Sequence, residues 1–366
     1  MTGVPSLDTV ETPVGFLDLD RVRANARRVA GYAADHGLAW RPHIKTHKSL
    51  EIARIQLDAG AKGLTVATLR EAEVMAGLTD DLLLAYPPVG PAKLARLVCL
   101  PAGVDLKVAL DSAAVLDPLS EAMAGAGRSV SVLVEADVGL GRVGVADPEE
   151  VVALARRADE SAGVRFGGVL FYPGHVRVPS ADQDAALRAV ADRVEGILAA
   201  LRDAGLPAGI VSGGSTPTLW RSHELPGLTE IRSGSCIFFD REGIDLGVAS
   251  HEDLAYSVLA TVVSTAVPGQ VVVDAGSKAL AKEGRGGEGF GFVLDHPEVL
   301  VTGLSEEHGI LDLSASDWRP SIGDRVRLVP NHVCVSVNLQ DALVARDGDE
   351  VRFVELQGRG RGPWSA

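Results

Sequence analysis

Five of the eight residues in segment 41–48, RPHIKTHK, are cationic or imidazole. A lysine among neighbouring cations, partly buried, has a lowered pKa and becomes a candidate Schiff-base nucleophile. A solvated basic turn is the competing reading. Two Gly/Ser loops, 212–218 (SGGSTPT) and 233–235 (SGS), could cradle a phosphate: glycine permits close backbone approach, and hydroxyls add donors. Ordinary turns use the same residues. The segment 332–338, HVCVSVN, alternates strictly, so as a strand it puts His332, Cys334, Ser336 and Asn338 on one face and three valines on the other. Imidazole and thiolate two residues apart can meet one metal ion, and that pair favours zinc. Further ligands must then be water, substrate or distant side chains. Other polar positions are Glu135, Asp137 and Arg142 in EADVGLGRVG, and Tyr172 and His175 in FYPGH. Asp274, Lys278, Glu306, Glu307 and His308 belong to a later region. Each alone suits a cap, a turn or a surface charge. The patterns GxGxxG after the first strand, GxxxxGK[ST] and GxSxG are absent, so dinucleotide, nucleoside triphosphate and α/β-hydrolase readings lack their anchors.

The elements that must position these residues fall into two textures. Up to about residue 240, β-rich runs at 38–45, 63–67, 81–86, 104–109, 129–137, 165–172, 209–212 and 229–233 alternate with amphipathic segments such as 180–204. Eight β/α units predict a (β/α)8 TIM barrel, with a doubly wound open sheet as the rival. In a barrel, segment 41–48 lies where the first strand ends, and the two Gly/Ser loops follow strands seven and eight, the customary phosphate position. After residue 250, runs at 256–267, 270–274, 325–329, 332–338 and 351–355 predict a second, mainly antiparallel β domain of about 115 residues without a convincing helix. Segment 282–291, KEGRGGEGFG, is expected to be a loop.

Length and composition agree with this organisation. At 366 residues the chain exceeds the size at which single cores split, and 46% hydrophobic with 23% charged residues is ordinary for a globular protein. Lys and Arg total 35 against 49 Asp and Glu, a net charge of −14, which disfavours nucleic acid and anionic membranes as partners. Three distant cysteines make no disulfide framework. The start of the chain lacks a signal peptide's basic and apolar segments, and no run of 18 apolar residues occurs. A cytoplasmic location is expected.

In the order RPHIKTHK, TVATLREAE, GLGRVGV, FYPGH, SGGSTPT, RSGSCIFFD, DAGSKALAKE, SEEHG and PNHVCVSVN, the chain resembles the D-serine dehydratase/D-threonine aldolase family of pyridoxal-phosphate enzymes with the alanine-racemase-type fold. The likeness runs from about residue 12 to 344. It implies a pyridoxal 5'-phosphate-binding barrel over 22–245 and a β domain from 1–21 plus 246–366, the opening strand joining the latter, with a homodimer as the usual state. By the same resemblance Lys45 binds the cofactor covalently and Lys48 is a neighbour. Arg142 lies near the cofactor's phenolic oxygen and Tyr172 beside its ring or phosphate. Ser215, Thr216, Gly234 and Ser235 hold the phosphate. His332 and Cys334 match the metal pair of the dehydratase branch. Aldolase relatives carry His-x-Asp and use manganese or magnesium, so Cys334 points to Zn2+, with Mn2+ or Mg2+ as alternatives. Relatives often have a tyrosine where this chain has Cys236, and some aldolases have glutamine where it has Ala67.

The implied activity is that of a lyase on D-3-hydroxy amino acids, D-serine dehydratase-like, eliminating the β-hydroxyl to give keto acid and ammonia. Retro-aldol cleavage to glycine and an aldehyde, as in a D-threonine aldolase, is the alternative, since one metal serves either reaction. An alanine-racemase-like enzyme, a cofactor carrier and a metal-dependent barrel hydrolase are the other readings. Racemisation has no use for the metal pair, and carriers of the single-barrel type lack a β domain.

Overall fold

A computed structural model describes residues 7–284 and 288–362. The chain divides into two compact units, Arg27–Gly234 with Gln357–Ala366, and Met1–Ala26 with Ser235–Leu356.

The first unit holds eight strands: Ala39–Trp40, Leu64–Val66, Asp81–Leu84, Asp105–Leu110, Val130–Ala136, Val164–Phe171, Ile210–Gly213 and Glu230–Ile231. They pair in parallel in chain order, and the eighth pairs back onto the first. The remaining seam, between the first and second strands, closes through a parallel bridge between His43 and Thr65. The ring is therefore a (β/α)8 barrel, and the open-sheet rival is excluded. Its strands are covered on both sides, which is why Val130–Ala136 (VSVLVEA) is buried along its whole length instead of alternating. Leu83, Ala109, Leu133 and Leu170, one from each of four successive strands, form a core cluster. The outer helices carry one apolar stripe. In Asp184–Asp203 the buried residues are Leu187, Val190, Val194, Ile197, Leu198 and Leu201, at the three-and-four spacing of a helix.

The first strand is shorter than the expected 38–45. The continuous ladder ends at Trp40, only the isolated His43–Thr65 bridge lies beyond it, and residues Ile44–Thr46 form a 3-10 turn. Pro42 has no N–H to offer a ladder, and the His43 ring accepts the Lys45 N–H, so the chain bends before the lysine.

The second unit is a nine-stranded sheet. Its order is Gln270–Val273, Gly309–Asp312, His296–Leu304, Gly291–Val293, Arg325–Pro330, Tyr256–Ser264, Val14–Asp18, Ala342–Asp347 and Glu350–Glu355. Tyr256–Ser264 also pairs with Gln270–Val273, which closes six of the strands into a barrel. All pairings are antiparallel except Val14–Asp18 with Ala342–Asp347. Phe16, Leu259 and Val344 from three adjacent strands pack together at its core.

Residues 332–338, expected as a strand, are not one. Val333–Leu339 is an α-helix with His332 at its N-cap. Alternation misleads here because positions 333 and 337 are also one helical turn apart. Val333, Ser336 and Val337 make the buried face, while Val335 is exposed. The Tyr256 hydroxyl donates to Ser336 Oγ (2.8 Å), which donates in turn to the Ala279 carbonyl (2.7 Å), so the buried serine is satisfied inside the unit. The preceding strand ends at Pro330, and a carboxylate from elsewhere in the chain receives the Val333 N–H. Tertiary partners thus override the β-branched composition. Of the loop expected at 282–291, residues 285–287 lie outside the described residues, as do residues 1–6 of the N-terminal segment.

Candidate functional site

Lys45 stands in the 3-10 turn after the first barrel strand, exposed, while Arg41, His43, Thr46, His47 and Ser49 around it are buried. Its Nζ lies 5.9 Å from the centre of the Tyr172 ring, and the Arg142 guanidinium carbon lies 5.0 Å from the same centre. The three residues follow the first, sixth and fifth strands, so they share the C-terminal face of the barrel. Lys48 is committed elsewhere. It occupies the left-handed region at φ 53°, and its Nζ pairs with Glu71 Oε1 at 3.0 Å. Glu71 Oε2 accepts the Ala67 N–H (2.7 Å), and the Lys48 carbonyl accepts the Gly358 N–H (2.8 Å). His47 is locked by the Ser49 N–H on Nδ1 and by Gln56 Oε1 on Nε2, both at 3.1 Å. Burial pushes it down to about 4, so it is neutral.

The two Gly/Ser loops follow the seventh and eighth strands. Ser215 is buried, its Oγ 3.0 Å from Thr218 Oγ1, and Thr216 is half-buried beside it. Gly213 and Gly234 permit close packing that a Cβ would block. One at Gly213 would sit 2.3 Å from the Phe171 ring, and one at Gly234 would sit 2.4 Å from the His43 carbonyl oxygen. Ser235 is the next residue in the chain and opens the 3-10 turn Ser235–Ile237 of the other unit.

Sequence reasoning passed over Arg232, immediately before the second loop. It is buried, its Nη2 donates to the Phe171 carbonyl (2.6 Å), and its Nε has no hydrogen-bond partner among the described residues. Burial lowers its pKa against the attraction of Glu135, Glu230 and Tyr172. Ser212 Oγ, at the end of the seventh strand, is likewise buried without a partner. Glu135 is raised by burial, with Arg232 and Arg142 opposing. An arginine directly before a Gly/Ser loop was the available signal.

In the second unit, His332 is half-buried, and its Nδ1 lies 2.8 Å from Asp240 Oδ2 and 3.7 Å from Glu242 Oε2. Asp240, Glu242 and His332 form a cluster able to hold a metal ion. Cys334, in the first helical turn, is within hydrogen-bonding reach of His332. Burial disfavours the imidazolium, but Cys334 and Asp240 outweigh it and push His332 up to about 11. His332 and Cys334 therefore meet across a helix cap instead of along a strand face. No spacing in the sequence relates Asp240 to His332. The remaining polar candidates serve the scaffold. Asp137 accepts the Gly139 and Gly141 N–H groups, Asp274 accepts the Thr261 N–H and the Thr12 hydroxyl, and Lys278 pairs with Glu307 on the surface. His175 is exposed, its ring against Gly139.

A parallel barrel bearing a lysine turn and two phosphate-type loops, joined in one chain to a closed antiparallel unit, defines the alanine-racemase class of pyridoxal-phosphate enzymes. The description "Alanine racemase, N-terminal domain" matches residues 17–242, and "Putative serine dehydratase domain" matches 255–345. The chain belongs to this family of pyridoxal-phosphate-dependent lyases. It is 37% identical over 356 residues to the D-threo-3-hydroxyaspartate dehydratase of Delftia sp. (strain HT23), covering 90% of this chain and 93% of that protein. The crystal structure of D-threonine aldolase from Filomicrobium marinum superposes with a TM-score of 0.90 at 32% identity, covering 98% of each chain. Two solved structures of a D-threo-3-hydroxyaspartate dehydratase carry alanine in place of a histidine or, two positions on, of a cysteine, the latter metal-free. Both have TM-scores of 0.86 at 34% identity and cover 96% of this chain, and 96% and 98% of theirs.

The residues present fit both groups. Unpartnered buried donors on Ser212 and Arg232 and the glycine-lined strand ends suit an anionic ring cofactor. An imidazole beside a thiol, with two carboxylates against its Nδ1 edge, suits a divalent metal.

Proposed function

We propose that the chain is a pyridoxal-phosphate- and zinc-dependent dehydratase of D-3-hydroxy amino acids, D-serine-like, releasing keto acid and ammonia. The observation that carries this reading is Cys334 beside His332, with Asp240 behind it. A thiolate suits zinc better than magnesium or manganese. Support also comes from the dehydratase whose metal-free form has a cysteine replaced, two positions from a histidine also chosen for replacement.

Lys45 is the residue assigned to the cofactor's aldehyde carbon, because Lys48 is tied to Glu71. Ser215, Thr216, Gly234 and Ser235 would hold the phosphate through hydroxyl and backbone N–H donors, with Arg142 and Tyr172 against the ring. Bound pyridoxal phosphate supplies an electron sink for the charge left when the Cα proton departs. Displaced from that carbon by the substrate's amino group, Lys45 Nζ would be free to accept that proton. A metal held by His332 and Cys334 supplies the Lewis acid that a departing β-hydroxyl needs. None of the three cysteines forms a disulfide, in keeping with a reducing cytoplasm. Tyr86, Val89, Val143 and Val178 are exposed on loops after barrel strands, in keeping with a homodimer. No helix among the described residues is long and apolar enough to cross a membrane.

The test supplies purified enzyme with D-serine, D-threonine and D-threo-3-hydroxyaspartate, with and without chelator, and scores keto acid and aldehyde separately. Keto acid formation lost on chelation is expected. Full activity without metal defeats the zinc assignment. Aldehyde as the main product would establish the aldolase reading, which the Filomicrobium likeness favours.

A further inference from the structure

We propose that Asp240 is the positioning residue of the metal pair: it holds the Nδ1–H of His332 and so leaves Nε2 to face the metal with the Cys334 thiolate. The inference rests on the metal reading above. By distance alone, Asp240, Glu242 and His332 could pass for a ligand triad. The hydrogen bonds argue otherwise.

Asp240 is buried and both of its oxygens are engaged. Oδ1 accepts the Gly243 N–H (3.1 Å), capping helix Arg241–Asp245. Oδ2 accepts the Val333 N–H (3.0 Å) at the start of helix Val333–Leu339, and it lies 2.8 Å from His332 Nδ1. An oxygen that accepts from backbone presents only lone pairs to the ring, so Nδ1 must donate. A ring nitrogen that donates a proton cannot also ligate a metal. Glu242 approaches the same edge, its Oε2 3.7 Å from Nδ1, and adds negative charge there. The ring's other nitrogen is the one available. A carboxylate behind a ligating histidine fixes its tautomer and raises its basicity, and loss of such a partner typically costs 10–100-fold in metal affinity.

An amide at 240 fails for a countable reason. Two backbone N–H groups approach its two different oxygens, so an NH2 in either place opposes one of them. The position calls for two acceptors, which only a carboxylate of this length supplies.

The experiment has two arms. In wild-type protein loaded with zinc, long-range 15N–1H spectra of the histidine rings should show His332 with a proton on Nδ1 and none on Nε2. In Asp240→Asn and Asp240→Ala, zinc affinity measured against a chromophoric chelator should fall roughly 10–100-fold, with cofactor content and far-ultraviolet circular dichroism unchanged. A metal bound through Nδ1 in the wild type overturns the inference, even where neither variant folds. So does wild-type zinc affinity in Asp240→Ala. A wild type that takes up no zinc defeats the metal reading and this inference together, whereas a zinc-binding wild type with an indifferent Asp240 defeats this inference alone.

Discussion

Two histidines, one in each unit, are driven in opposite directions. His43, in the lysine-bearing turn, is held well below its usual pKa by burial and then by Lys45, Arg232 and Lys48. His332 is half-buried, yet Cys334 and Asp240 push it up to about 11. The same side chain thus reports a cationic pocket in one unit and an anionic pocket in the other. A chain with a net charge of −14 must gather its cations deliberately to make the first. Such a pocket suits an anion, as a phosphorylated cofactor is. The other suits a cation.

The comparison breaks most sharply at Lys45. Lys45→Ala should abolish both activity and the visible absorbance of lysine-bound cofactor, while Lys48→Ala retains the covalent attachment. Borohydride reduction followed by peptide mapping checks it, and a label on Lys48 would mean that the Glu71 pair is not what holds that residue. The next largest effect belongs to the anionic pocket. Cys334→Asp keeps the negative charge but replaces a soft ligand with a hard one. Zinc content should drop and dehydration should fall roughly 10²–10³-fold, several kcal/mol of Lewis-acid assistance. Undiminished dehydration in a zinc-depleted Cys334→Asp sample would show that the thiolate does not select the metal.

The two pockets also differ in how far the sequence reveals them. The lysine turn and both Gly/Ser loops are continuous segments, each at the end of a strand that hydrophobic patterning locates, so all three were legible together. Eight barrel strands were readable for the same reason. Arg232 was hidden because nothing local says that its Nε stays unpartnered, although it stands next to a loop that was read. The anionic pocket is different in kind. His332 and Cys334 were legible as residue types, but their strand was a helix, because the valines at 333 and 337 satisfy both periods. Asp240 caps that helix from 92 positions away in the chain, and no local pattern carries such information. Segments continuous in sequence announce themselves, and pockets assembled across the fold do not.

Acid should expose the neutral state of the barrel's histidines. His47 titrates near 4 in the folded chain against about 6.5 when unfolded. A folded value below the unfolded one means that its contribution is complete above pH 6.5 and is lost as pH falls towards 4. That interval is worth about 3 kcal/mol. His47→Asn, which still offers an acceptor to the Ser49 N–H, should be less stable at neutral pH but lose less on acidification. Urea unfolding at pH 7, 5.5 and 4 measures it, and parallel pH dependence in the two proteins would remove His47 from the account.

The smallest effect sharpens the comparison within the cationic pocket. Ser215 Oγ is buried and already engages Thr218, both through its hydroxyl and by accepting the Thr218 N–H at 3.3 Å. Ser215→Ala therefore removes a loop contact together with a phosphate donor, whereas Ser235→Ala, at the second loop, tests a donor from a different turn. A hydrogen bond to a charged group contributes about 1.5–3 kcal/mol, or roughly 10–150-fold in cofactor affinity. Each single variant should fall in that range, because backbone N–H groups at Gly234 and the remaining hydroxyls stay in place. The double variant should lose close to the product of the two factors if the donors act independently. Cofactor titration by fluorescence quenching reads the constants directly. Unchanged affinity in both single variants would move the phosphate away from the Gly/Ser loops, leaving the cations around His43 without the anion that their arrangement suits.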